Sequence, residues 1–272
     1  MWTINAILTA VLDAVYSVLT AIHPAAPLLV ISAVFGVLAL VVIKYCSSQS
    51  AIESVKDRIK ANLLAIKLYK DELPVMFASF FRVLAGAFKL QLLMIPPVLV
   101  MLIPMVMVCS QMAARQEWRP LAVGERGVLT ITVKDELPDS VLDIQPDSGT
   151  GLVLKDRVRS LDSRQVSWNV EAIEPGRHVV DFLVGGKKIA KEIVVGNPLD
   201  RVSPLRHSGS LLDSLLYPCE EPLSKESVVQ SISIQLGSID SVLYGSTWWI
   251  VWFLVISIAV ALMVKPFMNV KI

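Results

Sequence analysis

The chain has 272 residues, 54% of them hydrophobic, and a mean hydropathy of +0.61. Soluble domains hold about 45–50% apolar residues, so an ordinary soluble protein is excluded, and a formal net charge of +1 gives no general case for nucleic acid. Three cysteines, Cys46, Cys109 and Cys219, have neither CxxC nor metal-ligand spacing, so neither a disulfide framework nor a zinc site is expected. One bridge between Cys109 and Cys219 stays open beside the simpler reading of small apolar side chains.

Residues 1–23 come first. Trp2, Ile4, Leu8, Val11, Leu12, Val15, Val18, Leu19 and Ile22 form an apolar stripe. Asn5, Thr9, Asp13, Ser17 and Thr20 lie largely opposite. Asp13 and the His23-Pro24 ending argue against a span. The pattern predicts an amphipathic helix on the outer interface; a signal peptide is the alternative, without a basic n-region and with Asp13 interrupting its apolar run.

Residues 24–45 then predict the first membrane span, with an uncharged run over 25–43 close to the ~20 residues a bilayer needs. Residues 46–89 are basic and predict a cytoplasmic helical hairpin. Ile52, Val55, Ile59, Leu63 and Ile66 recur by threes and fours on its first helix. Pro74 breaks or bends the pattern. On a second helix over 75–89, Met76, Phe77, Phe80, Val83, Leu84 and Phe88 make the apolar side for folding back. Ile59, Leu63 and Phe80 are the candidate apolar surface. The hairpin either stabilises itself, with its charges solvated, or offers a hydrophobic and basic surface to a protein or a lipid headgroup.

The second span is predicted over 90–112. It contains Pro96, Pro97 and Pro104, which remove backbone hydrogen bonds and bend a membrane helix. Arg82, Lys89 and Gln91 lie just before this bend. A cationic or polar group near the membrane is a functional candidate, against simple snorkelling of Lys89 to the headgroups.

Residues 113–197 change texture. Short strands are predicted over 128–133, 141–144, 152–154, 165–170, 178–184 and 188–195. Turn signals at Pro138-Asp139, Asp147-Ser148-Gly149, Glu174-Pro175-Gly176 and Gly185-Gly186 separate them. These predict an external antiparallel β-sandwich of immunoglobulin-like type, with Trp168 in its core. The Glu-Pro-Gly-Arg-His turn at 174–178 resembles the one before the closing hairpin of many bacterial immunoglobulin-like domains. His178 has no nucleophile motif beside it, and Asp139, Asp143 and Asp147 do not match an EF-hand loop. Neither catalytic residues nor a metal site nor a cofactor is expected.

Residues 198–247 return the chain to the membrane through a short helix over 211–217, ended by Pro218, and one more strand over 228–236 at the sandwich edge. Residues 248–265 predict the third span, with Trp248, Trp249 and Trp252 at its entry and Lys265 at its exit as interfacial anchors. Residues 266–272 form a tail. No Lys or Arg precedes Lys44, eight fall between Lys44 and Lys89, and Lys265 and Lys271 follow the third span. The positive-inside rule then predicts an inner (plasma) membrane protein with its N-terminus outside and its C-terminus in the cytoplasm. The expected fold class is thus membrane α-helical: three transmembrane helices, a cytoplasmic helical hairpin and an external β-sandwich.

The order of these parts, with the stretch SSQSAIESVKDRIKANLLAIKLYKDELPVMFASFFRVLAGAFKLQLLMIPPVLVMLIPMVMVCSQM over residues 47–112, resembles the YidC/Oxa/Alb membrane insertase superfamily. The likeness is to its reduced three-span branch, which includes archaeal YidC-like proteins and the third subunit of the endoplasmic reticulum membrane complex. It is one of layout and covers about a quarter of the chain. The resemblance implies a hydrophilic, lipid-open groove that accepts polar client segments with the help of a cation, without covalent chemistry. Bacterial members commonly carry an arginine in the first span. None occurs here, which leaves Arg82 and Lys89 as the cations, with Gln91 and the Pro96-Pro97 bend beside them. The β insert between the second and third spans also departs from the three-span branch. Membrane lipids and nascent membrane proteins are the implied partners. The alternative is a structural or sensory membrane subunit whose β-sandwich binds a protein partner.

Overall fold

The structure is a computed structural model that describes residues 2–134, 139–148, 151–197, 199–209, 211–224, 226–239, 241 and 248–268. The turn signals at Pro138 and Gly149, and Lys271 in the tail, lie outside the described residues. The chain divides into two compact units: residues 1–28 with 106–252, and residues 29–105 with 253–272.

Six α-helices and eight strands are described: α1 (Trp2–Thr20), α2 (Ala26–Cys46), α3 (Gln49–Leu68), α4 (Leu73–Gln116), β1 (Arg126–Val133), β2 (Gln145–Ser148), β3 (Leu152–Ser160), β4 (Gln165–Ala172), β5 (Gly176–Val184), β6 (Lys187–Val195), β7 (Leu205–His207), α5 (Leu211–Leu216), β8 (Val229–Ile234) and α6 (Trp248–Met268). Four helices, α1, α2, α4 and α6, are long and apolar enough to cross a membrane, where the sequence predicts three spans. The expected hairpin helix over 75–89 and the span over 90–112 are one helix of 44 residues, about 66 Å long at 1.5 Å per residue. Pro74 does not break it. It sits in the first turn, where a missing N–H costs nothing.

In the first unit two antiparallel sheets enclose one core. Strand orders are β3-β4-β1-β8-β7 and β2-β5-β6. Alternation builds both: β1 turns Leu129, Ile131 and Val133 inward, and β4 turns Val166, Trp168, Val170 and Ala172 inward. The Trp168 ring meets Phe182 of β5 with centroids 5.4 Å apart. Gly185 and Gly186 join β5 to β6 with φ of 56° and 77°. Both values lie in the left-handed region that a two-residue hairpin turn needs and glycine supplies.

Three details differ from the sequence reading. Residues 141–144 are not a strand: a 3-10 turn covers Asp139–Leu142, with Leu142 and Ile144 buried in the core. The late strand β8 does not lie at the sheet edge, because β7 pairs outside it. β7 has three residues and β2 contains Pro146. Neither shows the length or alternation that marks a strand in sequence.

The chain leaving α4 and the chain approaching α6 run together: Arg119 N–H donates to Gly237 O at 2.9 Å, and Ile239 N–H to Glu117 O at 3.3 Å. Arg119 also forks onto Glu125 at 2.6 and 2.7 Å. Those hydrogen bonds hold the Glu125 carboxyl below its usual pKa.

In the second unit α2 and α6 meet at small residues. A Cβ on Gly36 would stand 2.4 Å from the Ser257 carbonyl oxygen. Phe35 and Phe253 pack beside it, centroids 5.2 Å apart. Helices α3 and α4 meet at Gly86, where a Cβ would stand 2.6 Å from the side-chain atom Ile59 Cγ1. The α3–α4 contact therefore uses Gly86 against Ile59 and Val55. It does not use the phenylalanine face expected from sequence. Phe77, Phe80 and Phe88 are 54%, 49% and 67% exposed. Small residues allow the closer backbone approach, and that rotates the large side chains outward.

Candidate functional site

Arg82, Gly86 and Lys89 lie on one face of α4 at helical spacing, and Arg58 and Asn62 stand one turn apart on α3. Together with Val55 and Ala85 they line a groove of about 320 Å³. Gly86, at the pinch, and the three long cationic side chains are all part of its lining. No acidic residue lines it. Among the described residues, Arg58, Arg82 and Lys89 form no ion pair, in contrast to Lys60, which meets Asp57 at 3.5 Å. Three like charges around one concavity repel each other and attract an anion.

The other sequence candidates separate from this groove. Gln91 lines a neighbouring hollow of about 200 Å³ with Ile52, Lys56, Leu90 and Met94. Pro96 is exposed and Pro97 buried, and neither lines the two hollows. Of the apolar surface residues, Ile59 is half-buried against Gly86, whereas Leu63 and Phe80 are 51% and 49% exposed. Sequence reasoning missed Arg58 and Asn62. Their signal was present: Val55, Arg58 and Asn62 recur at steps of three and four, which puts them on one face of α3.

Two buried polar clusters of the first unit were also missed. Arg115, in the last turn of α4, is 1% exposed. It donates to Asp13 of α1 at 2.5 Å and to the Gln111 backbone oxygen at 2.7 Å, and stacks over the Tyr16 ring at 5.2 Å. Asp13 also meets Arg201 at 3.6 Å. Gln111 donates to Thr9 at 2.6 Å, Gln116 to Tyr16 at 3.0 Å, and Asn5 to the Ser214 backbone oxygen at 2.7 Å. A lone acid in an apolar helix and a lone base ending another were the clue, because each is costly without the other.

The second cluster joins β6 to the return segment. Lys191 is fully buried and donates to the Glu220 carboxylate and to the Ser203 backbone oxygen. Glu220 also accepts from Ser203 Oγ at 2.6 Å and from the Glu192 N–H at 2.8 Å. Burial lowers the Lys191 pKa, and the Glu220 charge opposes that shift. Burial raises the neighbouring Cys219 thiol to about 11. All three cysteines are free thiols, so Cys109 and Cys219 are not bridged. Every polar atom of this cluster that is named here is engaged in holding chain to chain, which suits anchoring rather than turnover. Among the described residues no group of three or more His, Cys, Asp or Glu side chains is placed to hold a metal ion.

No protein-family model matches this chain, and no curated protein or solved structure matches it significantly.

Proposed function

We propose that this is a non-catalytic membrane protein that assists insertion of other membrane proteins, and that the groove between α3 and α4 receives the polar or acidic part of a client. The observation that carries this reading is the convergence of Arg58, Arg82 and Lys89 on one groove without an acidic partner among the described residues. A charge at mid-membrane costs roughly 2.5–3.5 kcal/mol. A cationic groove offers an acidic segment a partner that lipid does not. Exposed Leu63 and Phe80 on the same two helices supply apolar contact for the rest of the segment. The excess of Lys and Arg in this hairpin supports a cytoplasmic side for it by the positive-inside rule, the side on which a client would arrive. The layout shared with the YidC/Oxa/Alb superfamily supports the same reading.

The test is charge reversal. Arg58→Glu, Arg82→Glu and Lys89→Glu, combined in the full chain, should slow insertion of clients with acidic external tails at least several-fold and leave the protein's own abundance near wild type. Equal insertion by the reversed and native proteins in a depletion strain would refute the reading. A fixed protein that co-purifies in constant ratio would then favour a structural subunit. For that alternative the exposed phenylalanine face of α4 is the specific observation, because a permanent partner would cover it.

A further inference from the structure

We propose that α1 is the membrane seat of the β domain: it lies flat in the bilayer interface on the domain's side, its apolar face in lipid and its polar face fixed to protein. The inference does not rest on the insertion role. It departs from the picture of an ordinary amphipathic surface helix, whose polar face is turned to water.

The polar face of α1 is already occupied. Asn5, Thr9, Asp13 and Tyr16 recur at steps of four, four and three, and each is bonded to the first unit: Asn5 to Ser214, Thr9 to Gln111, Asp13 to Arg115 and Arg201, and Tyr16 to Gln116. The opposite face is bare. Ile4, Ile7, Val11 and Val18, with Ile22 just past the helix, are 54–75% exposed, and Asp13 is the sole side chain of the helix that carries a charge near neutral pH. After five residues the chain enters α2, a helix apolar enough to cross a membrane. A face with no charge, continuous with such a helix, fits lipid and not water.

The partners also fix how α1 runs. From Asn5 to Asp13 it advances eight residues, about 12 Å. At both of these positions it meets the return segment, at Ser214 and Arg201. A span leading away across the bilayer would leave the domain behind over that length. α1 instead keeps contact with the domain's return segment at both positions, while Thr9 and Tyr16 reach the end of α4. Although α1 has the length and composition of a span, this placement makes it a surface helix, with three crossings left to α2, α4 and α6.

Site-directed spin labelling tests this on the full chain in lipid nanodiscs, with the three native cysteines replaced by alanine. Ile4→Cys, Val11→Cys and Val18→Cys place nitroxides at seven-residue steps on the exposed face, where each side chain is more than half exposed. Relative collision with oxygen and with a water-soluble nickel chelate reports depth. The seat predicts one shared, shallow depth below the headgroups at all three positions. A depth gradient of about 21 Å from position 4 to position 18, the rise of fourteen helical residues, would make α1 a span and overturn the proposal. Full access of the nickel chelate at all three positions would remove lipid as the occupant and overturn it equally.

Discussion

Replacing Glu220 by glutamine tests whether the return segment is held by a buried charge pair. Lys191 sits on β6 in the inward register between Ile189 and Ile193, and its ammonium has no exposure at all. Removing one partner of a buried ion pair costs roughly 3–5 kcal/mol, because the other charge is left in a medium that cannot solvate it. Glutamine keeps the shape and one acceptor, and the Ser203 backbone oxygen stays 2.6 Å from Nζ. The expected loss is therefore at the lower end, about 3 kcal/mol. Lys191→Met added to Glu220→Gln removes the stranded charge and should recover most of that loss, as replacements of whole buried pairs often do.

The pH dependence follows from the direction of the Lys191 shift. Its folded pKa lies below its unfolded value because burial disfavours the ammonium. The unfolded chain then binds the proton more tightly, so stability rises with pH between the folded and unfolded values, and the cost is complete below the folded one. Glu220→Gln removes the charge that opposes the shift, so the recovery should begin at lower pH than in the native protein and be absent in the double variant. Urea unfolding of the full chain in detergent micelles, followed by tryptophan fluorescence across alkaline pH, measures both effects. A loss under about 1 kcal/mol for Glu220→Gln, or a double variant no more stable than the single one, would refute the reasoning.

Trp168→Ala should cost about 3–5 kcal/mol in the same unfolding experiment, since the indole is 3% exposed and packed on Phe182; a change under about 1 kcal/mol would remove it from the core. Gly36→Ala should destabilise the second unit by about 1–3 kcal/mol or more, read as a lower melting temperature in detergent, because the new methyl meets the Ser257 backbone carbonyl at 2.4 Å. Gly86→Ala, which meets an isoleucine side chain able to turn aside, should cost less.

Periodicity made much of this protein legible in its sequence. The uncharged runs gave α2, α6 and the apolar part of α4. The alternation of β1, β4, β5, β6 and β8 gave the two sheets, and Gly185-Gly186 gave the hairpin between β5 and β6. Such signals are local, because a helix or strand that buries one face must repeat its apolar residues at its own period. Arg82 and Lys89 were visible as candidates for the same reason, as charges at the edge of an apolar run.

Tertiary structure decided the rest. Arg58 joined Arg82 and Lys89 only because Gly86 lets α3 close on α4 and turns the phenylalanines outward. β2 and β7 are strands only because β5 and β8 offer them an edge. Asp13 interrupts an otherwise uncharged run of the sequence, and its purpose shows only when Arg115, about a hundred residues later, comes within hydrogen-bonding distance. Lys191 likewise breaks the alternation of β6 until Glu220 supplies the opposite charge. Local pattern determines which face of an element is apolar. Which polar group meets which depends on contacts between distant residues, and no period in the sequence encodes those.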